Sequence, residues 1–236
     1  MTDLKLHKQI LTRILRDIFK DAGLSHLLGF KGGTAAYIFY ELPRFSVDLD
    51  FDLLIPGLKP EMSRDLIEKI TPILMKYGNI KDVFEKRFSV LFEISYETKS
   101  QNIKVEINKR NFGSQYEIKY YYGIPLRVML KEDMFANKLV AMYERECKAN
   151  RDIFDVHFFL DKNWNFNQKI IRNRTGMDYA ILFKKLIKLL KKKPESRILS
   201  GLGDLLDEDL KKWVKANLLK ETMFLLSNKF EAGNNK

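Results

Sequence analysis

At 236 residues, 45% of them hydrophobic, the chain has enough apolar material for one large domain or two small ones. Forty-two Lys+Arg against 31 Asp+Glu give a formal net charge of +11. That excess favours a polyanionic partner, nucleic acid before an acidic membrane surface, although a basic chain can also be merely soluble. One cysteine, Cys147, excludes an intramolecular disulfide and a cysteine zinc cluster, and His7, His26 and His157 are too scattered for a histidine-rich metal site.

Residues 3–21 carry Leu4, Ile10, Leu11, Ile14, Leu15, Ile18 and Phe19 at helical spacing, with Thr2 or Asp3 as the cap and Gly23 as the stop. The same amino terminus lacks a signal-peptide core, and no apolar run approaches the ~18 residues of a membrane span. The expectation is therefore a soluble, cytoplasmic chain. "SHLLGF" reads as a short buried strand broken by Gly32-Gly33, and "TAAYIFYEL" as a helix stopping before Pro43. From Phe45, "RFSVDLDFDLLI" alternates: Phe45, Val47, Leu49, Phe51 and Leu53 on one face, Ser46, Asp48, Asp50 and Asp52 on the other, with Pro56-Gly57 closing it.

A helix over about 60–77 follows, carrying Met62, Leu66, Ile70, Ile73 and Leu74. Strands are expected over 88–97, 102–110 and 116–130, the last broken at Gly123-Ile124-Pro125. After Leu130 the apolar period changes from two to 3.6, giving a helix in "KEDMFANKLVAMYER", another from about Asn150, and several amphipathic helices beyond residue 167. Strands followed by helices indicate an α+β class, or two lobes facing a cleft. The organisation expected is an αβ lobe over 1–130, a helical lobe over 131–230 completing an active-site cleft, and a flexible tail over 231–236.

Side chains two apart on a strand leave the same face, about 6–7 Å apart by strand rise. Two carboxylates so placed can hold divalent cations, since Mg²⁺ takes one or two carboxylates with waters and substrate phosphates. Gly32-Gly33 offers unobstructed N–H groups at a helix start, where a phosphate can bind, and Thr34 adds a hydroxyl. Singly, an Asp-x-Asp pair also describes a solvated strand face and a Gly-Gly-Thr an ordinary turn. In the order strand, glycines, helix, strand they outline a nucleotide-handling site.

"FKGGTAAYIFYELPRFSVDLDFDLL" resembles the first motif of AbiEii-like nucleotidyltransferases, toxins of type IV toxin–antitoxin systems within the DNA polymerase β-like superfamily. Arg44, Ser46, Asp48 and Asp50 match the R-x-S-x-D-x-D of the toxin-like branch. "EDMFANKLVAMYERECKANRDIFDVHFFL" is similar to the second block, with Lys138, Arg145 and the Arg151-Asp152-x-x-Asp155 run in place. The resemblance implies a polymerase β-like nucleotidyltransferase core, a mixed sheet with flanking helices, followed by an all-helical C-terminal lobe.

By that resemblance Asp48 and Asp50 hold Mg²⁺, or Mn²⁺ in its place, and Glu106 is the candidate third ligand, an exposed strand position being the alternative. Gly32, Gly33, Thr34, Arg44, Ser46 and Lys138 are the nucleotide-binding candidates; Asp48, Asp50, Lys138 and Asp155 are the catalytic ones. Arg44 can instead pair with an aspartate of its own strand, and Lys138 can lie on a solvated helix face. Arg145 can serve phosphate or RNA, or pair within its helix. Asp155 is preferred over Asp152, which stands near the cap, although both suit a helix N-terminus without any catalytic role. Asp52 is expected to support the ligands.

Tyr120-Tyr121-Tyr122 can stack on bases, with strand packing the favoured reading, and the lysines of 183–193 can meet RNA backbone or a membrane surface, or form a solvated helix face without a partner. His157 and Cys147 read as packing residues. The implied activity is transfer of a nucleoside monophosphate from a nucleoside triphosphate to RNA, the 3′ end of tRNA above others, with a cognate antitoxin as a further partner and no membrane. The alternatives are transfer to a protein hydroxyl, or a non-catalytic RNA- or partner-binding protein that keeps the fold.

Overall fold

The computed structural model describes residues 4–55, 60–97 and 102–234. The chain divides into two compact units. One runs as far as Glu41 and resumes over Ser46–Leu130; the other combines Leu42–Phe45 with the residues from Lys131 onward.

In the first unit α1 (Leu4–Lys20), a one-turn α2 (Ala22–Ser25), β1 (Leu28–Lys31), α3 (Gly32–Phe39), β2 (Leu49–Leu53) and α4 (Pro60–Met75) precede five strands. These are β3 (Asn79–Glu85), β4 (Ser89–Ser95), β5 (Ile103–Asn108), β6 (Tyr116–Tyr121) and β7 (Ile124–Met129). All seven strands form one mixed sheet, ordered β3-β4-β5-β2-β1-β7-β6. β1 is antiparallel to β2 and parallel to β7, and β2 is parallel to β5.

The alternation along the strands sorts the sheet into two faces. Leu28, Phe30, Leu49, Phe51, Leu53, Val90, Phe92, Ile94, Ile103, Val105 and Ile107 are buried on one side. α1 covers that side, with its Phe19 ring 6.1 Å from Phe51. Each such side chain contributes roughly 1.5–3 kcal/mol on burial, which fixes the strand registers, because a one-residue slip would turn the whole set outward. The opposite face carries Asp50 and Asp52 of β2 beside Glu106 and Asn108 of β5.

Several boundaries differ from those the sequence suggests. Asp21 accepts a hydrogen bond from the Leu24 amide at 3.0 Å and starts α2, so Gly23 lies inside a helix instead of ending one. β2 begins at Leu49, not Phe45, because Leu42–Phe45 is drawn into the other unit; the Phe45 amide donates to the Leu205 carbonyl at 2.9 Å. β3 was not expected: it is a mostly exposed edge strand without a buried alternate face. The expected strand over 116–130 is a hairpin turned by Tyr122 and Gly123, both at positive φ (48° and 76°), as a two-residue type I′ turn requires. The expected features at Thr2, Asp3, Pro56 and Gly57 lie outside the described residues.

The second unit contains α5 (Lys131–Glu144), α6 (Asn150–Asp161), α7 (Gln168–Thr175), α8 (Tyr179–Lys191) and α9 (Glu208–Asn234). α7 stops at Gly176, which takes the left-handed conformation (φ 68°) common after a helix. Phe135, Leu139, Phe159, Phe183, Leu186, Leu218 and Leu226 form its interior. The apolar stripe of α8 (Leu182, Phe183, Leu186, Leu190) is buried, which leaves the lysines of 183–193 on a solvated face and no stripe for a membrane. Residues 231–234, expected as tail, continue α9. No helix of the described residues is long and apolar enough to cross a membrane.

Candidate active site

Two constellations carry the residues singled out from the sequence, one in each unit. In the first, the β2–β5 register sets Asp50 directly beside Glu106 and Asp52 beside Asn108. In a parallel pair, partners share a face, so Glu106 stands next to the Asp-x-Asp strand on its polar side. Asp48 lies just before β2, its Oδ1 3.4 Å from the Lys104 amide of β5. Two aspartates and a neighbouring glutamate are an oxygen-only donor set, the chemistry that Mg²⁺ or Mn²⁺ accepts. Among the described residues no three His, Cys, Asp or Glu side chains converge to hold a metal by themselves.

The glycine pair meets these carboxylates. α3 starts at Gly32, whose φ of 77° is the left-handed region that glycine adopts without cost. A Cβ there would overlap the Asp50 side chain. Gly32 therefore satisfies two demands at once, the turn from strand to helix and the close approach of Asp50. Thr34, expected as a phosphate donor, is buried at 3% exposure and donates its hydroxyl to the main-chain carbonyl of Asp48. Its hydroxyl ties the helix start to the strand start.

Asp52 differs from the other two aspartates. Its Oδ1 accepts from Lys31 Nζ at 2.6 Å and Asn108 Nδ2 at 2.7 Å, and its Oδ2 from the Tyr116 hydroxyl at 2.5 Å. The Tyr116 ring lies across Gly29, where any Cβ would overlap it. With three donors committed, Asp52 is an internal anchor of the polar face.

His7, too isolated from the other histidines to bind metal with them, has a structural part. It is fully buried, with Nε2 2.9 Å from the Val47 carbonyl and Nδ1 2.8 Å from the Tyr96 hydroxyl. A carbonyl only accepts, so Nε2 carries the proton and Nδ1 accepts from Tyr96. Burial holds the imidazole below its usual pKa, and the Val47 bond and the charge of Asp48 oppose this only in part. A histidine within an apolar helical stripe was the available signal; its partners, 40 and 89 positions away, were not visible in the sequence. The same holds for Lys31, Asn108 and Tyr116.

In the second unit Arg44 and Asp155 form a buried, two-point ion pair, with Nε–Oδ1 at 2.6 Å and Nη2–Oδ2 at 2.7 Å. Nη1 of Arg44 donates to the Phe45 carbonyl at 3.0 Å. Arg44 thus pairs with a helix residue, Asp155, which is fully buried. Lys138 Nζ lies 3.0 Å from Asp155 Oδ2 and 3.1 Å from Asp152 Oδ1, while Arg145 Nη1 donates to Asp152 Oδ2 at 2.8 Å. Arg145, in the turn after α5, therefore pairs with an aspartate of α6. Asp152 does not cap α6, which starts at Asn150; it sits inside the first turn.

Burial works against the Lys138 ammonium, but Asp152 and Asp155 outweigh it and hold its pKa above the usual lysine range. Burial likewise opposes the Asp152 carboxylate, and Lys138 and Arg145 overcome it, leaving its pKa below normal. Both groups are held charged. Ser46 is buried as well.

The remaining candidates separate by exposure. Tyr120 and Tyr122 are 72% and 70% exposed, against the favoured packing reading, while Tyr121 packs on Phe39 at 5.9 Å. Cys147 is buried and its thiol is pushed up to about 12 by that burial, which makes it unreactive. His157 packs against Trp213 at 4.8 Å and lies 3.2 Å from Glu221.

The model of the family described as "Nucleotidyl transferase AbiEii toxin, Type IV TA system" matches residues 13–222. Among solved structures, a protein from H. pylori assigned as a nucleotidyltransferase is 22% identical, with 97% of this chain and 95% of that one covered and a TM-score of 0.61. JHP933 from Helicobacter pylori is 19% identical, covering 100% and 98%, at a TM-score of 0.56. The nucleotidyltransferase toxin MenT4 (Rv2826c) of Mycobacterium tuberculosis H37Rv is 16% identical, covering 95% and 84%, also at 0.56. At these identities the likeness is one of fold. No curated protein matches.

Proposed function

The chain belongs to the AbiEii nucleotidyl transferase toxin family and is a nucleotidyltransferase, and from that premise we propose its substrates and site. The reaction is Mg²⁺-dependent transfer of a nucleoside monophosphate from an NTP to RNA, the 3′ end of tRNA being the preferred acceptor. The observation that carries this reading is the position of Asp50, packed against Gly32 at the start of α3 and beside Glu106 across the sheet. That position supports a phosphate on the α3 amides next to an ion on the carboxylates.

Asp48 and Asp50 would hold the metal, with Glu106 as the third carboxylate, and Mn²⁺ meets the same donor set. When bound, the ion offsets charge on the triphosphate and favours the attacking oxygen. The amides at Gly32 and Gly33 orient the phosphates, and Lys138, kept charged by its aspartates, is assigned to the triphosphate. Arg44 and Asp155 position Lys138, since both oxygens of Asp155 are engaged. Thr34 fixes Asp48 through the main chain. The acceptor hydroxyl oxygen bonds to the α-phosphorus, the bond to the β-phosphate bridge breaks, pyrophosphate leaves and the hydroxyl proton passes to solvent. Positioning and charge supply most of the rate enhancement. Such an activity on tRNA halts translation, and a cognate antitoxin is the expected partner.

The test is purified protein with Mg²⁺, each of the four labelled NTPs and total RNA. Label in the tRNA band with one favoured nucleotide is the expected result. Label on protein alone would replace RNA by a protein hydroxyl as acceptor, and no label from any nucleotide would remove the RNA reading.

A further inference from the structure

Past the end of β5 the first unit presents an exposed cluster of aromatic rings and cations. Arg110 follows Glu106 by four positions in the chain. Its guanidinium lies 5.4 Å from the ring centroid of Phe88 and 5.3 Å from that of Phe112. Arg87 stands 5.0 Å from Phe88 and Lys86 5.9 Å from Phe84. Phe88 is 48% exposed. The backbone fixes the cluster: the Lys109 amide donates to the Phe88 carbonyl at 2.8 Å, and the Lys86 amide to the Ser89 carbonyl at 2.8 Å.

The charges here are not neutralised locally. Lys109 turns to Glu85 at 3.7 Å, whereas among the described residues no carboxylate pairs with Lys86, Arg87 or Arg110. Arg110 Nε also donates to Asn108 Oδ1 at 3.2 Å, and Asn108 holds Asp52. A hydrogen-bonded chain therefore joins the cluster to the polar face that carries Asp50 and Glu106.

We propose that Phe88, flanked by Arg87 and Arg110, is a stacking platform for single-stranded RNA. A base rests on the ring or on a guanidinium plane, and the cations take the adjoining phosphates. Every base has a π-face, so the platform accepts acceptor ends of differing sequence. Two guanidinium groups at the Phe88 ring and Lys86 at the nearby Phe84, none paired with a carboxylate among the described residues, favour a polyanion over a protein surface. The inference rests on RNA being the acceptor, and a binding measurement without NTP separates the two.

The experiment is fluorescence anisotropy with a labelled single-stranded RNA of about 12 nucleotides, a length within the usual range for such sites, at several salt concentrations. Phe88→Ala weakens binding at least about fivefold, the lower bound for losing one stacked base, and Phe88→Leu, which keeps apolar volume without a π-face, does the same. Arg87→Ala lowers the slope of log K against log salt by about 0.7. Phe224→Ala, also an exposed aromatic but on α9, leaves affinity and slope unchanged. Wild-type affinity in both folded Phe88 variants, or a wild-type slope in Arg87→Ala, overturns the platform. Weakened binding by Phe88→Ala in a protein that labels no RNA keeps the platform and removes the acceptor reading; labelled RNA with Phe88→Ala binding intact does the reverse.

Discussion

Arg44 and Asp155, 111 positions apart in sequence, share two hydrogen bonds of 2.6 and 2.7 Å inside the second unit. Removing one member of a buried pair strands the other charge, at a cost of about 3–5 kcal/mol. Arg44→Ala and Asp155→Ala should each lower the urea midpoint accordingly, and the double variant should lose much less than their sum. Arg44→Lys should not rescue, because an ammonium cannot reproduce the planar two-point contact. Additive losses in the double variant would contradict the pairing.

Gly32→Ala places a methyl group where Asp50 packs, at a φ that only glycine adopts freely. Nucleotide transfer, followed as pyrophosphate release, should fall by about two orders of magnitude, the effect of losing one well-placed polar group in a site. Gly123→Ala also sits at positive φ but has open space around it, so it should cost stability and leave the transfer rate intact.

Asp48→Asn and Asp50→Asn should each reduce transfer by about a hundredfold or more. EDTA should abolish it, and Mg²⁺ or Mn²⁺ should restore it. Glu106→Gln discriminates: a raised Mg²⁺ requirement identifies a ligand, whereas an unchanged one leaves Glu106 as an exposed strand residue. Asp52→Asn should instead act through stability, because its carboxylate accepts from Lys31, Asn108 and Tyr116.

Stability should depend on pH in a defined window. Burial depresses His7 and His157 below their usual 6.5, so below that pH the unfolded chain binds protons that the folded one refuses. Stability then falls on acidification, by up to about 1.4 kcal/mol per pH unit for each histidine. Cys147, raised to about 12 from 9.0, acts at the other end: the unfolded thiol ionises first, and stability falls as pH rises past 9. The midpoint of thermal unfolding should be flattest between about 6.5 and 9, and His7→Gln should reduce the acid-side slope. An acid limb unchanged in His7→Gln would show that His7 does not contribute to it.

The polar face was legible because a strand repeats every two residues, which puts Asp50 and Asp52 of β2 on one side, with Asp48 just before the strand. Their differences were not. Asp52 is enclosed by side chains 21, 56 and 64 positions away, and periodicity carries no information about such partners. Thr34 shows the same limit, since a hydroxyl after two glycines can face a ligand or its own chain, and the path of the backbone decides. β3 escaped detection because an exposed edge strand buries no alternate face and so leaves no pattern. Arg44 was placed on its strand because the alternation begins near it; the helical unit draws that segment away.

That segment constrains how the protein can be dissected. Leu42–Phe45 belongs with residues that begin at Lys131, although both its flanks belong to the other unit. A fragment ending at Leu130 would carry Arg44 without Asp155, and one starting at Lys131 would carry Asp155 without Arg44. Neither half is a natural expression fragment, and a chimaera exchanging the helical unit with that of a relative must exchange these four residues too.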